Sequence, residues 1–196
     1  MTEPLLLFLA GPAGAGKTEV ARLLAEQHGF TRIGLGDLCR AEARRLGWPT
    51  DRPHLQRAGD LLRAGNPARL AALALGQVRG RTGPVVIEGV RLQAEATYLR
   101  ARGVIGVSVD ASAEVRAARL LGRDGSDRVP VHATEREAGA LPVDLRLRND
   151  GDRKALEHQV RLVVARAAML QAERRSLLHH APPVRTPRRE AAGIER

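Results

Sequence analysis

The chain has 196 residues, enough for one sizeable hydrophobic core and too few for two comfortable domains. Hydrophobic residues make up 43%, no run approaches the roughly 18 consecutive apolar residues of a membrane span, and the single cysteine, Cys39, rules out an internal disulfide framework and offers no metal-ligand spacing. A formal net charge of +10 admits nucleic acid, an anionic surface or small phosphorylated ligands as partners, while aromatics at 2% that do not alternate with basic residues argue against nucleic-acid binding by stacking.

The first predicted element is a strand, Leu5 to Ala10. Its apolar run follows Thr2-Glu3-Pro4 rather than a basic segment and enters a glycine loop, so it does not read as a signal peptide; a cytoplasmic protein is expected. A helix is predicted over Lys17 to His28, a strand over Phe30 to Leu35 and a helix over Asp37 to Leu46. Gly47-Trp48-Pro49 through Pro53 interrupts that helix, with Trp48 packing the turn. A Leu- and Ala-rich helical region then runs from Leu55 to Val78, so residues 37–78 form a helical insertion. Val85 to Glu88 is a strand, Leu92 to Arg102 a helix, Val104 to Val109 a strand and Ala113 to Leu121 a helix. Gly122 to Leu141 lacks an apolar period and is expected to be a short flap. The strand Asp144 to Arg148 and a helix from Arg153 to about Ser176 complete a single domain over 1–180, and 181–196 is expected to be a disordered basic tail. Strand and helix in alternation imply an α/β fold with a parallel sheet covered on both faces. Cys39 is expected as a small buried residue on its helix.

Of the 32 basic residues only Lys17 and Lys154 are lysine, and Lys17 falls in Gly11-x4-Gly16-Lys17-Thr18. That is the spacing of a loop whose backbone amides wrap phosphate oxygens between a strand and a helix, a P-loop. Gly11, Gly14 and Gly16 supply backbone freedom, and the helix points its amides and positive dipole end at the anion. Lys17 reaches the β- and γ-phosphates as a point charge, where the wide fork of arginine fits poorly, and Thr18 can place its hydroxyl on Mg²⁺. Gly11, Gly14, Ala15, Gly16, Lys17, Thr18 and Glu19 are therefore expected to hold ATP.

Asp37 and Arg40 lie three apart on a helix that opens just after a strand, so both face one side near the strand's carboxyl end. An arginine there can clamp a phosphate bidentately. Gly36-Asp37-Leu38-Cys39-Arg40 resembles the "GDxLR" element of adenylate kinases and related nucleotide kinases, where the arginine grips the acceptor phosphate. Val85-Val86-Ile87-Glu88-Gly89-Val90-Arg91 is similar to the "DGxR" element of the same group. The resemblance implies Arg91 as a second clamp, with Glu88 standing in for an aspartate that holds Mg²⁺ through water. Arg45 to Pro67 resembles the acceptor-binding helices of deoxynucleoside monophosphate kinases and of a group related to archaeal dephospho-CoA kinases, with Arg57 and Arg63 as further anion contacts. Arg116, Arg119, Arg123 and Arg128 flank the flap, where this fold supplies arginines that neutralise the transferring phosphoryl group. Arg119 and Arg123, four apart on one helix face, are the expected catalytic pair. Asn149 and Asp150 match an "NDG" strand end and are expected to cap the last helix. Gly34-Leu35 stand where adenylate kinases carry Ser-Thr, which disfavours AMP as acceptor.

The resemblance covers about residues 4 to 165 and implies a three-layer α/β/α P-loop NTPase fold with a five-stranded parallel sheet of order 2-3-1-4-5. It implies an ATP- and Mg²⁺-dependent nucleoside or deoxynucleoside monophosphate kinase, acting on a small phosphorylated acceptor, with a dephospho-CoA kinase-like enzyme as the nearest competitor. A phosphate acceptor needs no general base because its oxygens are already ionised; with a hydroxyl acceptor, Asp37 would take the proton. An alternative of another class is a P-loop ATPase or nucleotide-sensing module that works with nucleic acid through its basic surface and tail. No membrane association is expected, and monomer and homodimer are both open.

Overall fold

Strand β1 (Leu6–Ala10) has no polar face: Leu7 and Leu9 are fully buried on one side, Phe8 and Ala10 on the other. Such a strand must be covered from both sides, which puts it at the centre of a parallel sheet. A computed structural model, which describes residues 3–124 and 140–179 with side chains over 3–122 and 140–176, shows this arrangement. In chain order the elements are β1, α1 (Lys17–His28), β2 (Thr31–Gly34), α2 (Leu35–Arg45), α3 (Arg52–Arg63), α4 (Arg69–Gly76), β3 (Val85–Glu88), α5 (Gln93–Arg100), β4 (Ile105–Asp110), α6 (Ala113–Asp124), β5 (Leu145–Arg148) and α7 (Arg153–His179).

The sheet runs β2-β3-β1-β4-β5 and every pairing is parallel, with Phe8 opposite Ile87 and Gly106, and Gly34 opposite Glu88. The expected strand order and the α/β/α layering are thus both present. On one face, Val20, Leu23 and Leu24 of α1 and Leu156, Val160 and Val163 of α7 pack on Leu7, Leu9, Val107 and Leu147. The opposite face is covered by α2, α4 and α5 through Cys39, Ala43, Leu70, Ala74 and Leu99 on Phe8, Val85 and Ile87. Burying two apolar layers, at about 25 cal/mol per Å² of apolar surface, supplies the main driving force for the fold. No helix among the described residues is long and apolar enough to cross a membrane.

Several element boundaries differ from the sequence reading by one to three residues. The helical region over 55–78 is two helices, because Gly65 adopts φ +72° and Pro67 follows, a combination that ends one helix and cannot continue it. Helix α2 begins at Leu35 rather than Asp37, so Asp37 lies inside its first turn, where a carboxylate favours the helix dipole. The Asp37 carboxylate folds back over Gly34, so that a Cβ there would have to push it aside. Residues 125–139 of the expected flap and the whole of the expected tail lie outside the described residues.

Candidate active site

All five strands point their carboxyl ends the same way, and the loop between β1 and α1 sits at that edge. Gly11 has φ +128° and Gly16 φ +96°; a Cβ on the first would collide with the Val109 carbonyl oxygen, and on the second with the Asn149 side-chain amide. Both positions therefore admit only glycine. Gly16 gives α1 no side-chain cap, so the helix opens toward the loop with amides and dipole available to an anion. Lys17 Nζ donates to the carbonyl oxygens of Gly11 and Pro12, 2.7 Å each, so the ammonium already spans the loop. Thr18 is exposed in the first turn. Glu19 turns back along the helix to Arg22, whose hydrogen bond holds the carboxyl below the usual range against the opposing effect of burial; Arg153 lies 3.9 Å away.

The far side of the loop is braced by two residues from later elements. Asn149, buried at the end of β5, donates its amide to Ala15 O at 2.9 Å. Arg119 of α6 donates to Asn149 O at 3.0 Å and to Gly14 O at 3.4 Å. Neither Asn149 nor Asp150 caps α7: the cap is Asp152, which accepts from Ala155 N at 2.8 Å, while Asp150 ties Arg148 to the Ser112 amide. A cavity of about 280 Å³ opens beside Gly16, Arg119, Asn149 and Arg153. Arg116 donates to Ala111 O, the Arg123 side chain lies outside the described ones, and Arg128 lies outside the described residues.

Across the sheet edge, toward β3 and β2, the acceptor-side residues gather. Arg40 forms an ion pair with Asp37 one turn earlier on α2. Arg63, from α3, donates Nε and Nη2 to Glu95 Oε1 at 3.1 and 2.9 Å. The other Glu95 oxygen accepts from the amides of Arg91 and Leu92 at 3.0 and 3.2 Å. Burial pushes the Cys39 thiol up, with Glu95 adding to the rise and the guanidinium charges of Arg63, Arg91 and Arg40 opposing it; Arg63 Nη1 and the Cys39 sulfur both lie against Gly59, at the seam of α2 and α3. Glu88 stands at the end of β3 beside β1 and takes Arg32 Nε at 2.7 Å from the neighbouring strand. Arg57 is turned to the Trp48 ring, 4.9 Å from its centroid.

Sequence reading missed Glu95, Arg32 and the loop contact of Asn149. Glu95 carried one local signal, its place three residues after Leu92 at the start of a predicted helix, the spacing of a capping glutamate. A larger cavity of about 650 Å³ lies at the opposite edge of the sheet, lined by Leu6, Tyr98, Gly103 and Arg174. The glycine loop and the residues that brace it lie at the carboxyl edge, where parallel α/β sheets commonly bind ligands.

Strand order and a glycine-built loop at the carboxyl edge define the class: a P-loop domain with a five-stranded parallel sheet of order 2-3-1-4-5. A family model described as an AAA domain matches residues 7–138, and the chain belongs to that family. Among curated relatives, a UPF0200 protein of Methanothrix thermoacetophila is 36% identical over 97 residues, covering 48% of this chain and 52% of that protein. Another, from Aeropyrum pernix, is 32% identical over 123 residues, covering 61% and 65%. The chain thus spans between 52% and 65% of the length of these relatives. Among solved structures, TT1252 from Thermus thermophilus superposes with TM-score 0.61 at 22% identity, covering 84% of this chain and 98% of that one. A gluconokinase from Sinorhizobium meliloti gives 0.56 at 20%, covering 92% and 100%, and a shikimate kinase from Acinetobacter baumannii gives 0.53 at 20%, covering 83% and 92%. At these identities the likeness is one of fold.

Proposed function

We propose that this chain moves the γ-phosphoryl group of ATP to a small phosphorylated acceptor, a nucleoside or deoxynucleoside monophosphate. The observation that carries this reading is the glycine-built loop from Gly11 to Thr18 at the carboxyl edge of the sheet, with Arg40 on α2 and Arg63, held against Glu95 of α5, on the elements beside it. The amides of the loop and of the first turn of α1, with Gly14, Ala15, Gly16 and Glu19 contributing backbone, take the nucleotide phosphates. Lys17 exchanges its two carbonyl partners for β- and γ-oxygens, an exchange that needs no change of backbone because the ammonium already lies over the loop. Arg119, fixed by Gly14 and Asn149, and Arg123 one turn on, meet the charge that spreads over the transferring group. Arg40, Arg63 and Arg91 hold the acceptor phosphate in line.

The oxygen donors of Thr18 and Glu88 fit a hard cation. Thr18 would bind Mg²⁺ directly, and Glu88 would reach it through water on releasing Arg32. The ion would supply positive charge to offset the negative charge of the nucleotide phosphates.

A second reading is favoured by Asp37, a carboxylate in the first turn of α2 held beside Arg40: with a hydroxyl acceptor such as that of a dephospho-CoA-like compound, it would take the proton. The test is ADP formation from ATP and Mg²⁺ over a panel of ribo- and deoxyribonucleoside monophosphates, dephospho-CoA, and RNA and DNA. Turnover that rises only with a monophosphate supports the first reading, turnover with dephospho-CoA the second. Stimulation by nucleic acid alone overturns both.

A further inference from the structure

Glu95 is a carboxylate with no solvent exposure. Burying such a group is costly unless its oxygens are satisfied, and here four donors meet it: Nε and Nη2 of Arg63 on one oxygen, the amides of Arg91 and Leu92 on the other. The bond to the Leu92 amide is ordinary helix capping, since Glu95 is the third residue of α5. Capping explains one oxygen. It does not explain why the other reaches a guanidinium 32 residues away on α3, at the seam with the helix that carries Arg40.

We propose that Glu95 is the positioning residue of the acceptor site: one buried carboxylate locks the Arg63 guanidinium and the Arg91 backbone together, so that the acceptor's phosphate meets a preformed cationic wall facing Arg40. Arg63 is then a fixed surface rather than a mobile arm. Its Nη1 and the Cys39 sulfur both crowd the same point over Gly59, at 3.1 and 3.3 Å from where a Cβ would stand, so α3 is pressed against α2 with the guanidinium at the seam. Glu95 touches neither substrate; it acts through Arg63 and Arg91. Preorganisation of this kind removes the ordering cost of two long side chains at the moment of binding. The inference rests on the phosphorylated-acceptor reading and deepens it.

The test uses the full chain with its P-loop saturated by ADP and inorganic phosphate as the probe. Trp48, the only tryptophan, is partly buried between α2 and α3 and reports on this side of the protein by its emission. Glu95→Gln is expected to weaken phosphate binding about tenfold, the scale of one charge-assisted contact, with ADP affinity changed less than about twofold. Arg63→Met, which leaves Glu95 its two amide donors, is expected to do the same. The double variant is expected to bind phosphate within about twofold of Arg63→Met alone, because both changes break one unit. If either single variant binds phosphate as tightly as the wild type, Glu95 is a helix cap only and the inference falls while the phosphotransferase reading stands. If wild-type protein shows no phosphate site once ADP fills the loop, the acceptor reading itself fails and takes this inference with it.

Discussion

The Lys17 ammonium braces the carbonyls of Gly11 and Pro12, and under the proposed function it would exchange them for phosphate oxygens when nucleotide binds. Lys17→Ala therefore loses the loop's internal brace as well as the phosphate contact. ADP formation is expected to drop by at least about 100-fold, on the scale of removing a transition-state charge partner. Lys17→Arg should not rescue it, because the planar fork cannot sit over the two carbonyls; steady-state rates for the two variants check this. Gly16→Ala is expected to cost about 2 kcal/mol in a melt and to abolish ATP binding, since φ +96° is unfavourable for alanine and the new Cβ meets the Asn149 amide. The loop was legible in the sequence because each of its positions is dictated by local backbone geometry. The partners of Glu88 and Arg63 were not. Arg32 reaches Glu88 only because β2 and β3 pair with Gly34 opposite Glu88, and Glu95 reaches Arg63 only because α3 folds back onto the turn after β3. Those are consequences of register and packing that no spacing records.

Element by element, β1 and β3 declared themselves through apolar runs, and α1 and β3 have the boundaries that the pattern predicts. The last helix begins at Arg153 as the pattern predicts, but its cap is Asp152 rather than Asn149-Asp150, which leaves Asn149 to hold the loop. Side chains of Asn and Asp serve caps and tertiary contacts equally well, so composition could not separate the two roles. Asp144, just ahead of β5, carries the strongest junction between elements. It accepts from Arg100 of α5 at 2.8 Å, from Arg174 of α7 at 2.6 Å and from the Gly106 amide of β4 at 2.8 Å. Burial alone would raise its pKa, but the hydrogen bonds of Arg100, Gly106 and Arg174 together hold it below the usual carboxyl value. The folded carboxylate thus binds a proton less readily than the unfolded one. Its contribution is fully present above the unfolded value, about pH 4, and is lost as pH falls through the lower folded value. Asp144→Asn is expected to cost about 2 kcal/mol at pH 7, moderated because both arginines keep access to water, and to flatten the acid limb of the stability curve below about pH 4. Thermal melts of both proteins from pH 7 to pH 3 measure this.

At the scale of the whole molecule, charge and architecture point to different partners and can be weighed. A net charge of +10 draws any polyanion, so nucleic acid is expected to adhere at low salt and to be released steeply as salt rises, leaving ATP turnover unchanged. Filter binding and ATPase assays across a salt series check that expectation. The architecture is more selective, because it sets a glycine-built loop, which the proposed function assigns to nucleotide phosphates, at the carboxyl edge of the sheet. Fold and loop could be read from sequence, while the identity of the acceptor could not, since it depends on how α2, α3 and the β3–α5 turn pack together. The most direct measurement follows the γ-phosphoryl group itself, using γ-labelled ATP with Mg²⁺ and the monophosphate panel. The account predicts label on an organic acceptor, formed only when that acceptor is present and lost in Lys17→Ala. Label appearing solely as inorganic phosphate, in equal amount with and without any acceptor, would contradict it.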